Sequence, residues 1–299
     1  MEEPNRTIEK KLPERLYHYT SIDGLKGILE SRCLFASQIH FLNDTQEFKY
    51  SFDILKKLTP EFKDRLQKKR AIPVPPLDTE ESLDLFYRTI ERIYFEFDVL
   101  TRMPVCVFSF SPCGDLLSQW RGYCPSNGGY SIGFRPELLI PWLKSNKLLL
   151  EPCIYDKTKQ EAIIREEIVK KGDDLIKKLS AEPDNLENIM QKVTINFVME
   201  FSRIASKLKH PAFNEECEWR IISEPIENNR MSFGLRKSIF LPYLELSFAN
   251  VEPFPIDEII VGPALEQRLA HSSLQQFLLK KDLKQVAIKE STTPYRELM

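Results

Sequence analysis

Histidine is nearly absent from this chain, with four copies among 299 residues. Cysteine is sparse as well. Its six copies (Cys33, Cys106, Cys113, Cys124, Cys153 and Cys217) include no C-x-x-C pair. That argues against a zinc ribbon, and a chain this size does not need disulfide staples, so reduced thiols are expected. No apolar run approaches the length that spans a bilayer. The start, Met1-Glu2-Glu3-Pro4-Asn5-Arg6, lacks the basic-then-apolar pattern of a secretory signal. A cytoplasmic protein without a membrane partner is the expectation. Neither sign of charge dominates, and a net charge of −2 gives no global pull toward nucleic acid or anionic lipid. What remains, 42% hydrophobic and 29% charged, is the composition of an ordinary globular protein. Its length allows one large domain or two smaller ones.

Periodicity sketches the organisation. Leu25, Ile28 and Leu29 recur at helical spacing and predict a short helix at 22–31, with Thr20 or Ser21 as its cap. Asp44-Thr45-Gln46-Glu47 has the form of a capping box ahead of Phe48, Phe52 and Leu55, so a second helix is expected there. Lys56 to Arg70 is a basic run, closed by the Pro-rich turn Ile72-Pro73-Val74-Pro75-Pro76. Leu83, Phe86, Tyr87, Ile90, Ile93, Tyr94 and Phe97 then line one helical face. Short β-branched and aromatic runs predict strands at 105–111, 130–134, 218–222, 239–248, 258–261 and 285–288. Between 158 and 208 the chain reads as mixed-charge helix, broken near Ala181-Glu182-Pro183-Asp184. Helices in two blocks between strands indicate an α+β fold rather than a regular βαβ alternation.

Four constellations carry chemistry. The first is His18-Tyr19-Thr20-Ser21, where an apolar run meets a loop. The second joins Ser109-Phe110-Ser111 with Trp120 and Tyr130, and the third is Asn43-Asp44-x-x-Glu47. The fourth is Glu216-Cys217-Glu218-Trp219-Arg220. On a period-2 strand it would present two carboxylates and a guanidinium on one face and Cys217, Trp219 and Ile221 on the other. Each has a plain structural account: a helix cap, a core histidine, a solvated ion pair. The cap explains Asp44 and Glu47, but not Asn43. His40 is a secondary candidate, while His210 and His271 read as structural or exposed. Cys113, Cys124 and Cys217 read as core or loop residues rather than nucleophiles, since none has an obvious histidine partner. Only Phe62 interrupts the basic run as a stacking aromatic, so the nucleic-acid signal is weak.

Taken in order, the motifs Leu16 to Ser21, Leu42 to Glu47, Ser109 to Ser111, Trp120 to Tyr123, Tyr130 to Phe134, Glu216 to Arg220 and Ser291 to Arg296 resemble an uncharacterised prokaryotic family. Their layout is similar to that of the ADP-ribosyltransferase superfamily. The resemblance implies a single ADP-ribosyltransferase-like domain over residues 13–299, a split mixed or antiparallel sheet, and helical insertions near 45–100 and 155–210. It implies NAD as a substrate, no metal, an undefined macromolecular acceptor, and a defence or toxin effector role. His18 would bond the ribose hydroxyls, with Tyr19, Thr20, Ser109, Ser111, Trp120 and Asn43 around the nucleotide. Tyr130, or failing that Tyr123, would stack on the nicotinamide ring. Glu218 would stabilise the oxocarbenium-like transition state, with Glu216 orienting or deprotonating the incoming nucleophile. Arg220 would hold a pyrophosphate or pair with one of the glutamates. No arginine heads an R-S-E pattern, so the histidine-first branch of the superfamily fits better. That branch normally lacks an E-x-E. Two other readings stand beside this one. One is a nucleotide-binding module without turnover. The other is a metal-dependent nuclease built on Asp44, Glu47 and Glu218.

Overall fold

The computed structural model describes residues 11–42, 49–58, 104–124, 128–181, 186–236, 238–264 and 266–294. Asn43, Asp44, Glu47, the helix expected over 83–97, the basic run beyond residue 58, Tyr295 and Arg296 lie outside the described residues. The helix expected after Asp44 is present over 49–58.

The chain opens with strand β1 (Leu16–Thr20) and helix α1 (Ile22–Ser31). Ser21, not Thr20, caps α1, its Oγ accepting the Gly24 N–H at 3.2 Å. The apolar face Leu25, Ile28 and Leu29 is buried, as its spacing predicts. Arg32 then takes the left-handed conformation, φ 50°, and starts β2 (Cys33–Gln38). Next come β3 (Cys106–Phe110), a short α2 (Leu117–Tyr123), β4 (Tyr130–Phe134), α3 (Pro136–Ser145) and β5 (Leu149–Pro152). Two long helices, α4 (Lys157–Ala181) and α5 (Leu186–Ala205), form the second helical block. The remaining elements are β6 (Trp219–Ile222), β7 (Ser232–Arg236), β8 (Ile239–Ser247), β9 (Ile256–Val261), α6 (Gln267–Lys280) and β10 (Ala287–Glu290).

These strands build two sheets, so the fold is α+β. One sheet is mixed, in the order β1-β4-β9-β10, with only β9 and β10 parallel. The other is antiparallel, in the order β5-β6-β3-β2-β8-β7. They pack face to face over one core, to which Leu16, Ile132, Phe134 and Ile259 come from the first sheet and Leu34, Phe108, Trp219 and Ile221 from the second. Strand β4 is buried at all five positions, because Tyr19 and Trp120 cover the other face of its sheet beside Ile260. A second core joins α4, α5 and the 49–58 helix through Ile54, Leu58, Ile164, Val193 and Phe201. Among the described residues no helix is long and apolar enough to cross a membrane.

Candidate functional site

The site lies where the two sheets part. Tyr17 and Ser111 exchange backbone hydrogen bonds of 2.7 and 2.8 Å and tie β1 to the end of β3. One residue further along β1 this pairing ceases, and a side chain replaces it: His18 Nδ1 lies 3.1 Å from the Ser109 carbonyl. The imidazole packs on Phe108 with centroids 4.3 Å apart and planes inclined by 34°. A carbonyl can only accept, so Nδ1 carries the proton and Nε2 is left as an acceptor, without a partner among the described residues. Burial lowers the His18 pKa to about 4 although the bond to Ser109 acts the other way, so the ring is neutral near pH 7.

Beyond His18 the gap opens into a cleft of about 690 Å³, within the size range of small-molecule sites. The cross-strand neighbours Ser37 and Val107, then Ser109 and Arg220, form its floor. Thr20, Gly24 and Gly27 wall one side, and Gly122 and Tyr123 from α2 wall another. Phe213 and Glu216 enter from a 3-10 turn, Pro211–Glu216. His18 and Glu218, far apart in sequence, line this one cleft.

Glu218 belongs to a buried charge network that, among the described residues, includes Arg220, Lys209 and Glu216. Arg220 Nε donates to its Oε1 at 2.7 Å and Nη2 to its Oε2 at 3.0 Å, while Lys209 Nζ donates to the same Oε2 at 2.5 Å. Lys209 also donates to Glu216 Oε2 at 2.5 Å, and Arg220 Nη1 donates to the Ser206 carbonyl at 2.8 Å. Each of these carboxylates touches a cation, which offsets part of the cost of burying Glu218 beside Arg220 and Lys209, whose side chains are only 2–6% exposed. Burial alone would raise the Glu218 pKa; the charges of Arg220 and Lys209 and their hydrogen bonds outweigh it and hold it at about 2. A carboxylate has about four acceptor sites, and among the described residues three are taken, two on Oε2 and one on Oε1.

Other expected site residues are placed differently. The period-2 face does not extend to Glu216, because β6 starts only at Trp219 and Cys217 adopts φ 44° after the 3-10 turn. Glu216 and Glu218 converge through Lys209 instead. Of the two roles open to Arg220, pairing with a glutamate is the one present. Tyr130 sits in the shared core rather than in the cleft, leaving Tyr123, 41% exposed, as the tyrosine on the cleft wall. Tyr19 turns away as well: its hydroxyl donates to the Cys113 carbonyl at 2.7 Å and accepts from the Leu116 N–H. Ser111 is buried, with its Oγ bonded to the Glu216 carbonyl and the Cys113 N–H. Trp120 is buried and donates from Nε1 to Asp115 at 2.7 Å. Thr20 and Ser109 do line the cleft. His40 is largely buried, its pKa lowered to about 4 by burial. Among the described residues no group of three His, Cys, Asp or Glu side chains is placed to hold a metal ion.

Sequence reasoning missed Lys209. It follows helix α5 in Ser206-Lys207-Leu208-Lys209, where nothing separates it from the solvated lysines of a mixed-charge helical block. The one local signal is the apolar Leu208 followed by Pro211, which ends the helical pattern.

Residues 119–221 match a protein family described as of unknown function, DUF2971. The match ends one residue beyond Arg220, so it holds Tyr123, Lys209, Glu216, Glu218 and Arg220 but neither His18 nor Ser109. No curated protein and no solved structure matches the chain.

Proposed function

We propose that the cleft binds a dinucleotide of the NAD class and cleaves its nicotinamide–ribose bond, passing ADP-ribose to water or to an acceptor nucleophile. The observation that carries this reading is the meeting of His18 and Glu218 in one cleft, at the point where the sheets part. The neutral His18 offers Nε2 to a ribose hydroxyl, and Oε1 of Glu218 accepts from another. Tyr123 supplies a face for the flat cationic ring. Breaking the C1′–N bond sends its electron pair onto nicotinamide and leaves positive charge on C1′ and O4′. A carboxylate fixed as an anion stabilises that charge more than it stabilises the substrate. The nucleophile then bonds to C1′ and gives up one proton; with water the products are ADP-ribose, nicotinamide and that proton. Glu216, more exposed than Glu218, is the carboxylate nearer solvent for accepting it.

A second reading draws on the charge pairing of Glu218. Two cations already neutralise it, and this favours a module that holds the nucleotide without turnover. Incubating the purified chain with NAD and quantifying nicotinamide separates the two. Release supports cleavage. A rise in the thermal midpoint with NAD but no nicotinamide supports binding alone. Neither effect overturns both.

A further inference from the structure

Strand β2 turns a face to the cleft whose residues are unequal. Cys33, Phe35 and Ser37 line the cleft at period 2, while Leu34 and Ala36 are buried in the core between the sheets. Cys33, and Ile28 of α1, line the cleft as buried residues; Phe35 is 51% exposed. Strand β2 lies between β3 and β8, so this open phenyl ring sits inside the sheet and not at its edge. The ring is nevertheless held. Tyr243 of β8 packs against it with centroids 4.6 Å apart and planes inclined by 34°. On the far side of β8, a Cβ at Gly234 of β7 would stand 3.6 Å from Tyr243 Cε1, so the tyrosine is bracketed in turn. Glu245 is the cross-strand partner of Phe35 and accepts from Ser232 Oγ at 2.8 Å. A carboxylate beside the exposed ring repels a phosphate, and a neutral planar ring is the group that suits the phenyl face.

We propose that Phe35, backed by Tyr243, is the stacking platform for a second base of the ligand, a neutral nucleobase such as adenine, and that it makes the cleft select a dinucleotide over a mononucleotide. From β6, which carries Arg220, to β2 is two strand positions, roughly 10 Å. That reach suits two nucleosides joined through a pyrophosphate better than one. Stacking needs a flat face and not only apolar area, so leucine at position 35 does not replace phenylalanine. The choice of dinucleotide rests on the NAD reading above; the base platform does not.

The test titrates NAD, nicotinamide mononucleotide and AMP into the full chain by calorimetry, as wild type, F35A and F35L, with circular dichroism as the check on folding. Wild type is expected to bind NAD about tenfold or more tighter than nicotinamide mononucleotide. Both variants are expected to lose about tenfold in affinity for NAD and for AMP, and to keep nicotinamide mononucleotide within about twofold. F35L preserves the apolar surface and is the variant to read if F35A folds poorly. Unchanged NAD and AMP affinities in F35L, or all three ligands weakened alike, overturn the proposal. AMP binding that depends on Phe35, with no binding of nicotinamide mononucleotide, keeps the platform and overturns the NAD reading. Nicotinamide mononucleotide and NAD bound equally well by wild type keep that reading and overturn the platform. If none of the three binds, both fall.

Discussion

Glu218 shows how little a charge means without its neighbours. As one residue of an E-x-E-x-R run it reads as a surface ion pair; in the fold it is the shared acceptor of Arg220 and Lys209. Removing its charge takes from buried Arg220 and Lys209 the carboxylate they share, so Glu218→Gln is expected to cost roughly 3–5 kcal/mol of stability, measured by urea unfolding. Tyr123→Ala, on the exposed cleft wall, is expected to change stability by no more than about 0.5 kcal/mol while weakening ligand binding. Titration separates the charged groups further. Unfolded, His18 and His40 gain a proton near pH 6.5; folded, each does so only near 4. Between those values the unfolded chain binds more protons, so stability falls as pH drops through that window. Glu218 adds its loss lower, as pH falls from 4.5 toward 2. A thermal midpoint that declines from pH 6.5 to 4, and declines less in His18→Gln, is the expected result.

At the scale of elements, the two cleft helices are shaped for something other than their own stability. Gly27 lies inside α1 and lines the cleft, with nothing within 4 Å of where a Cβ would stand. A helix-interior glycine is less stable than alanine by about 0.5–1 kcal/mol. Gly27→Ala is therefore expected to raise the unfolding midpoint and to lower NAD affinity, two opposite effects that calorimetry and a binding titration read separately. Helix α2 is held from below by Asp115, which accepts hydrogen bonds from Trp120 Nε1, Ser291 Oγ, Thr293 Oγ1 and both the N–H and Oγ1 of Thr292. Burial alone would raise the Asp115 pKa; these bonds outweigh it and hold it at about 2. Asp115→Ala strands these donors, and faster hydrogen exchange over 291–294 is the expected readout. The strong periodic elements were legible: α1 falls on its predicted bounds, and β3, β4 and β8 within a residue or two of theirs. Others were silent for physical reasons. Strand β2 reads Cys-Leu-Phe-Ala-Ser-Gln, without a β-branched residue, and α3 carries Pro141 in its interior. Their tertiary packing decides them, not their local preference.

At the scale of the whole molecule, the sheet split turns separate motifs into a site. His18 and Ser109 were visible as motif residues, but the bond between them exists only because β1 and β3 separate after Tyr17 and Ser111. The aromatic residues exposed the limit of reading spacing alone. Tyr130 and Trp120 look as available as Tyr123 in sequence, yet burial between layers takes both out of the cleft. Lys209 was hidden for the converse reason, since only the pairing of the segment after α5 with Ile154 brings a helix-block lysine to the buried carboxylates. The central claim is that this cleft takes a nicotinamide dinucleotide against His18 and Tyr123. Titrating NAD into the full chain by calorimetry, beside His18→Ala and Tyr123→Ala, tests it most directly. The account predicts saturable one-to-one binding by wild type, weakened at least tenfold in each variant while both keep the wild-type circular dichroism. Absent binding, or binding that both variants retain at full strength, contradicts it.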